Sequence, residues 1–149
     1  MKIVIGSYHG GYELKSKLLE SLAATDHSVK DMGTHSKDSC DYPMIGFEVA
    51  KVVGAGKAER GILICRTGIG MAIIANKVAG VRAGVCLTEE MARSSREHND
   101  CNVLVLAADY TKEDVAKNIL KIFLETASLG DRHQRRVNQI KKLETKPRK

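Results

Sequence analysis

The sequence predicts an α/β fold, a Rossmann-like three-layer sandwich built on a five-stranded parallel sheet. Five short apolar runs alternate with segments in which apolar residues recur at helical spacing. A chain that alternates strands and helices in this way pairs its strands in parallel and covers both faces of the sheet with helices. With 149 residues, of which 43% are hydrophobic and 28% charged, the chain fits a single globular domain over residues 1–149.

The predicted elements follow one another at regular intervals. The strand-like runs are residues 2–6, 28–32, 61–65, 82–86 and 103–107. Helical spacing fills residues 14–22, 45–52, 71–78 and 115–123. The last segment, about residues 131–145, is typical of a basic amphipathic helix whose apolar positions, Val137, Ile140 and Leu143, form only a thin stripe. A thin stripe on a terminal helix predicts contact with a neighbouring subunit.

Composition argues against several classes of function. The net charge is +6, but aromatic residues make up only 4% and much of the basic excess lies in residues 132–149, so nucleic acid is not expected as a partner. No apolar run approaches the roughly 18–20 residues of a membrane span. The chain opens with strand-like residues rather than a signal peptide, and its four cysteines lack CxxC spacing. These features predict a cytoplasmic protein without a metal site or disulfides.

The most informative segment is residues 61–70, which read Gly-Ile-Leu-Ile-Cys-Arg-Thr-Gly-Ile-Gly. A buried strand ends in Cys65, a glycine loop follows, and a helix begins. This arrangement directs backbone N–H groups and the positive end of a helix dipole at one point. A thiolate at that point is stabilised. The segment therefore offers a nucleophile or base beside an oxyanion hole.

Three interpretations of this segment are open. Cys65 is a small core residue in a strand–helix turn, or the nucleophile of a cysteine phosphatase, or a base that moves a proton on a substrate with an oxyanion intermediate. A phosphatase loop runs Cys-x5-Arg, and the sixth residue after Cys65 here is Met71. The arginine that would hold a phosphate is thus missing, and the other motifs of the chain favour the proton-transfer base.

Those motifs lie in residues 6–11 (Gly-Ser-Tyr-His-Gly-Gly), 41–43 (Asp-Tyr-Pro), 95–100 (Ser-Arg-Glu-His-Asn-Asp) and 131–137 (Asp-Arg-His-Gln-Arg-Arg-Val). We expect the first three, with residues 65–70, on loops at or near one edge of the sheet, because ligands of such sheets bind beyond the carboxyl ends of the strands. Together with Asn76 and residues 80–83, the set resembles type B ribose-5-phosphate isomerase over residues 2–143. That family includes isomerases of the galactose 6-phosphate and allose 6-phosphate type.

The resemblance implies an enzyme of carbohydrate metabolism, in the pentose phosphate pathway, that needs no metal or organic cofactor. It interconverts ribose 5-phosphate and ribulose 5-phosphate through an enediolate. In this interpretation Cys65 moves the proton between C2 and C1, and Thr67 passes a proton between the two oxygens. His98 acts as the acid–base that opens the sugar ring, since imidazole titrates near neutral pH.

The resemblance also implies a substrate site shared between two subunits of a homodimer or homotetramer. The implied substrate-binding residues are Tyr8, His9, Tyr42, Arg66, Gly68, Ile69, Gly70, Asn99, Arg132, His133 and Arg136. Backbone N–H groups of residues 66–70 would stabilise the enediolate, and the arginines suit phosphate oxygens because guanidinium presents paired donors. His98 and phosphate ligands would reach the site from the partner.

Residues alone also allow plainer roles. His98 fits an exposed histidine at a helix end, and Arg132 and Arg136, four residues apart, fit a solvated helix face. Tyr42 fits a turn before a proline, and Asn76 fits a residue that pins the helix after the glycine loop. The remaining cysteines, Cys40, Cys86 and Cys101, are expected to be packing residues.

The chain departs from the family's pattern at three positions. Tyr8 stands where the family normally has an aspartate, Arg66 where it usually has a glycine, and Asp109 where many members carry an arginine that reaches the phosphate. One hypothesis is a swap, in which Arg66 supplies the charge missing at position 109 and Asp109 the acid missing at position 8. Two alternatives are an isomerase of another sugar phosphate and a catalytically weak homologue that binds sugar phosphates.

Overall fold

A computed structural model describes residues 1–145 and confirms the predicted α/β sandwich. The strands are β1 (Lys2–Ser7), β2 (Ser28–Asp31), β3 (Arg60–Cys65), β4 (Ala83–Val85) and β5 (Val103–Ala107). The helices are α1 (Tyr12–Ala23), α2 (Tyr42–Gly54), α3 (Ile69–Ala75), α4 (Glu89–Asn99), α5 (Glu113–Glu125) and α6 (Asp131–Glu144). A short 3-10 turn, His9–Gly11, precedes α1.

The 5-stranded sheet has the order β2-β1-β3-β5-β4, and every neighbouring pair is parallel. On one side β2 lies outside β1; on the other the chain goes from β3 to the edge strand β4 and then returns to place β5 between them. The strand order therefore reverses between β1 and β3, which is the point where open α/β sheets form a ligand crevice. Cys65 and Ser7 end the two strands that flank this point.

Alternate residues of the buried strands face two separate cores, as the side-chain alternation of strands requires. One core lies under α1, α4 and α5, and it includes Ile62, Leu104 and Phe123. The other lies under α2 and α3, and it includes Leu63, Val105 and Met71. The middle strands are covered on both faces, which explains why their sequences are continuous apolar runs rather than alternating ones.

Element boundaries differ from the prediction mainly after the glycine loop and at the C-terminus. The helix predicted at residues 71–78 begins earlier, at Ile69, and ends at Ala75. Helix α6 ends at Glu144, close to the predicted end, and residues 146–149 of the predicted basic tail lie outside the described residues. Over residues 1–145, no helix has the length and apolar character needed to cross a membrane.

Candidate active site

The Cys65 thiol lies at the carboxyl end of β3, where the chain turns into α3. The residue is only 5% exposed, and its Sγ accepts a hydrogen bond of 3.0 Å from the backbone N–H of Gly68. Gly68 has a φ of +79°, and a Cβ at this position would lie 2.9 Å from a methyl of Val85. Both observations require glycine. The loop therefore closes onto the sulfur and places an N–H dipole against any negative charge that forms there.

Thr67 and the first turn of α3 complete this loop. The Thr67 hydroxyl accepts a 3.3 Å hydrogen bond from the N–H of Ile69, and the residue is otherwise exposed. Because Gly68 precedes α3, the sulfur sits at the N-terminal end of that helix, where backbone N–H groups lack partners within the helix. A thiol, a hydroxyl and helix N–H groups thus share one short segment, as the sequence predicts.

Three aromatic side chains from other segments form a cluster that begins on the loop. Tyr42, the first residue of α2, covers Gly70 so closely that a Cβ there would lie 2.6 Å from its ring. The Tyr8 ring lies 6.2 Å from that of Tyr42 and 4.5 Å from that of His9. Tyr42 therefore packs on the loop, which a residue that only forms a turn before a proline would not do.

The His9 ring is oriented by the segment before α2. Its Nδ1 lies 3.2 Å from both the backbone nitrogen and the backbone oxygen of Cys40. With Nδ1 held in this way, Nε2 is the ring nitrogen available to a ligand. His9, Arg66 and Asp109 all line an open cavity of about 890 Å³ beside α1.

Arg66 and Asp109, two of the unusual positions, are neighbours. The Arg66 Nη1 lies 3.5 Å from Asp109 Oδ1, and the two side chains are 56% and 46% exposed. Their backbones are joined as well, since the Asp109 N–H donates to the Arg66 carbonyl at 3.0 Å. The structure thus brings together the two ends of the charge swap considered above.

The His98 and His133 side chains form a second cluster away from this loop. Their rings stack with centroids 4.5 Å apart and planes 10° apart. Helix α6 is held there because Val137 is buried and the Leu129 N–H donates to the Glu97 carbonyl at 3.0 Å. Burial, followed by the charges of His98 and the arginines at positions 132 and 136, lowers the pKa of His133. Arg132 and Arg136 themselves are exposed on the first two turns of α6.

One expectation about this cluster is wrong. Residues 95–100 were expected at the same sheet edge as Cys65, but they form the last turn of α4 and its end. A helix that connects parallel strands runs opposite to them, so α4 carries His98 and Asn99 back to the amino edge, where Val103 begins β5 beside Gly61. Cys65 pairs with Ala107 at the carboxyl edge. In one chain His98, Asn99, Arg132, His133 and Arg136 therefore do not join Cys65.

Two residues of the same motif have structural roles that the sequence did not reveal. The Arg96 side chain is only 3% exposed, and it donates to Asp100 Oδ1 at 2.8 Å and to the Thr126 carbonyl at 3.1 Å. Asp100 ends α4 with a φ of +45° and also accepts from Arg82 at 3.0 Å. These contacts fix the helix end that carries His98. The spacing of Arg96 and Asp100, four residues apart on a helix, was the sequence signal that could have predicted this ion pair.

The remaining candidates behave as packing residues. The Asn76 side chain donates to the carbonyls of Ala72 and Ala83 and accepts from the Ala83 N–H, so it pins α3 to β4. Burial raises the pKa of Cys101 to about 11 and also raises that of Cys86. Neither thiol is poised to ionise near neutral pH. Within residues 1–145, no three His, Cys, Asp or Glu side chains are grouped as metal ligands.

Comparison with known proteins gives a consistent result. The family model described as Ribose/Galactose Isomerase matches residues 3–140. Ribose-5-phosphate isomerase B of Escherichia coli K12 is 41% identical over 143 residues, which cover 96% of each chain. The structure of ribose-5-phosphate isomerase B from Clostridium thermocellum superposes with a TM-score of 0.94 at 47% identity, covering 97% of each chain. That of the Mycoplasma genitalium enzyme with bound ribulose 5-phosphate gives 0.95 at 36% identity, covering 98% of this chain and 97% of the other.

Proposed function

This chain belongs to the ribose/galactose isomerase family, and from that premise we propose that it interconverts ribose 5-phosphate and ribulose 5-phosphate. The observation that carries the proposal is the closed Cys65 loop, in which a buried sulfur accepts the Gly68 N–H at the start of α3. The compartment in which it would act is the cytoplasm, in keeping with four free thiols and no disulfide.

In the proposed reaction, the Cys65 thiolate takes the proton from C2 of the open-chain sugar and returns it to C1. The negative charge moves to the oxygens of the enediolate, where N–H groups of the loop and of the first turn of α3 stabilise it. The Thr67 hydroxyl, on the same loop, transfers a proton between O1 and O2. Each step moves a proton between groups that are named here, so the reaction requires no net oxidant or reductant.

Ring opening and part of the phosphate binding are assigned to a second subunit. His98, Asn99, Arg132 and Arg136 lie at the sheet edge opposite Cys65, so within one chain they cannot serve the same sugar. Exposed apolar side chains on α2 and α3, around the Cys65 loop, give a partner a surface to cover. They are Tyr42, Met44, Phe47, Ile69 and Ile73. We therefore propose a homodimer, or a tetramer of such dimers, in which His98 of the partner subunit completes each site.

A second candidate substrate is a six-carbon sugar phosphate of the allose or galactose type. The specific observation in its favour is the position of the Tyr8 ring, which lies next to the rings of His9 and Tyr42. A phenol is larger than a carboxylate and is a weaker hydrogen-bond acceptor, so it changes both the space and the polar contacts offered to the sugar.

The test is turnover of ribose 5-phosphate by the purified protein, beside allose 6-phosphate and galactose 6-phosphate, with Cys65→Ala measured in parallel. Turnover of ribose 5-phosphate that disappears in Cys65→Ala supports the proposal. Turnover of only a six-carbon substrate selects the second candidate. Binding of sugar phosphates without any turnover would show a binding protein instead, and retained turnover in Cys65→Ala would remove the thiol base.

A further inference from the structure

The Arg66 side chain is more than half exposed, and it contacts the rest of the chain at two points, one on its stem and one on its guanidinium. Its aliphatic part crosses the Cα of Gly10 so closely that a Cβ at Gly10 would lie 2.8 Å from Arg66 Cγ. The same Cβ would lie 2.7 Å from the Tyr8 hydroxyl. Because Gly10 has no side chain, the stem of Arg66 and the hydroxyl end of the Tyr8 ring can both pack against it. His9, the residue before Gly10, lines the same cavity as Arg66.

The guanidinium end is held by Asp109, with Nη1 at 3.5 Å from Oδ1. One contact to a carboxylate leaves most of the five guanidinium N–H donors available to a ligand. His9 lines the same cavity with its Nδ1 engaged by Cys40, so its Nε2 remains available as well. Two donors suited to phosphate oxygens thus border one space next to the Cys65 loop.

Other charges around this cavity are already paired. Glu13 contacts Lys37 at 2.5 Å, and Glu113 contacts Lys117 at 2.6 Å. Glu20 lies 3.7 Å from Lys17. The Arg66–Asp109 contact is longer than the first two, and both of its side chains face the open cavity. Of these pairs, it is the one joined directly to the Cys65 loop.

We propose that Arg66 is a phosphate-binding and specificity-determining residue of this chain, and that Asp109 is a positioning residue that holds its guanidinium at the cavity lined by His9. The inference rests on the proposed isomerase function and deepens it. It keeps the first part of the charge-swap hypothesis, in which Arg66 supplies the missing positive charge. It changes the second part, because Asp109 acts through Arg66 rather than on the sugar. Arg66 selects sugars that carry a phosphate at the opposite end of the molecule from the reacting carbons.

The first experiment compares Arg66→Gln and Arg66→Lys with the wild-type protein in ribose 5-phosphate turnover and in binding of inorganic phosphate. A lost charged hydrogen bond should raise KM and the phosphate Kd about tenfold or more in Arg66→Gln, with kcat within about threefold of wild type. Arg66→Lys should recover part of the loss. Arg93→Gln, which removes the same charge from an exposed position on α4, is the matched control and should change neither value.

A fall in kcat with unchanged KM and phosphate Kd would overturn the proposal, because Arg66 would then act on the loop rather than on phosphate. The phosphate measurement also separates this proposal from the proposed function. If the wild-type protein fails to turn over ribose 5-phosphate yet Arg66→Gln loses phosphate, the isomerase assignment fails while the phosphate site stands. Unchanged phosphate binding in Arg66→Gln would refute the site in either case.

The positioning role of Asp109 is tested by a double-mutant cycle. With Arg66 present, Asp109→Asn should raise KM about two- to threefold, the size expected for an exposed pair. In the Arg66→Gln background the same change should lower KM, because it removes an unpaired negative charge that repels phosphate. Asp26→Asn, on an exposed turn, is the control. A lower KM in both backgrounds would show that Asp109 only repels phosphate, and a higher KM in both would show that it does not act through Arg66.

Discussion

The Cys65 loop and the His98–His133 cluster are built in different ways. The loop is local: a strand end, a left-handed glycine and a helix start within a few residues place the Gly68 N–H on the Cys65 sulfur. The cluster is assembled from distant parts of the chain, since α6 must dock on α4 before His133 can stack on His98. The loop gains its geometry from backbone conformation, and the cluster gains it from packing.

This difference has a consequence for function. A site built from backbone conformation holds its N–H donors in fixed directions, which suits the step in which charge develops and the donors must not reorganise. The His98–His133 cluster lies on the end of α4 and on the docked helix α6, where a second molecule can reach it. We infer that proton transfer is assigned to the Cys65 loop, and that ring opening and part of the phosphate binding are assigned to the cluster, which a partner subunit can use.

The largest expected effect comes from the loop. Cys65→Ala or Cys65→Ser should lower kcat about 10²–10⁴-fold, the range for loss of a general base, while sugar-phosphate binding persists. Steady-state kinetics and calorimetric binding measure the two quantities separately. Cys86→Ala, which truncates another buried thiol, is the control and should keep kcat per folded molecule. Equal losses in both variants would mean that Cys65 acts through packing alone.

The next prediction tests whether the two regions serve the same substrate across subunits. Cys65→Ala and His98→Ala should each be nearly inactive alone. Co-expressed in one cell, half of the dimers carry one copy of each, and one of their two sites is intact, so about a quarter of wild-type activity should return. Two Cys65→Ala chains with different tags are the control. If no activity returns in verified mixed dimers, the two residues do not meet across the interface.

The sequence predicts the Cys65 loop, but it does not predict which distant residues the fold brings close to that loop. Residues 61–70 predict a base beside N–H donors because strand, glycine and helix signals lie within ten positions. The direction of α4 could not be predicted from the Ser-Arg-Glu-His-Asn-Asp motif, which has no marker of which sheet edge it reaches. Nor could the Arg66–Asp109 contact, because it joins positions 43 residues apart through the register of β3 and β5.

Packing contacts explain most of what was missed. Tyr42 on Gly70 depends on how α2 crosses α3, and that crossing is decided by the core under both helices. The burial of Arg96 depends on the end of α5, where Thr126 supplies a carbonyl. The sequence pattern predicts which strands and helices form. Predicting these contacts also requires knowing how the strands and helices pack in three dimensions.

A third prediction concerns the scaffold of the cluster. Arg96→Met leaves the Asp100 carboxylate with one partner fewer and two carbonyls without their donor, so the free energy of unfolding should fall by about 3 kcal/mol. Urea denaturation followed by circular dichroism measures the loss. Arg93→Met, on the exposed face of the same helix, is the matched control and should stay within about 0.5 kcal/mol of wild type. Equal values for both variants would show that the buried network does not stabilise the helix end.

The smallest effect is a pH dependence of stability that belongs to the cluster and not to the loop. Burial and the nearby cations lower the pKa of His133 in the folded chain, whereas in the unfolded chain it titrates near its ordinary value of about 6.5. As pH falls below about 7, the unfolded state therefore takes up a proton that the folded state resists, and folding stability decreases.

His133→Asn should flatten this decrease between about pH 7 and pH 5, because the residue that distinguishes the two states is gone. Urea midpoints across that range measure the slope, with His35→Asn as the control, since the His35 side chain is 72% exposed. A slope that survives in His133→Asn would place the pH sensitivity elsewhere in the fold.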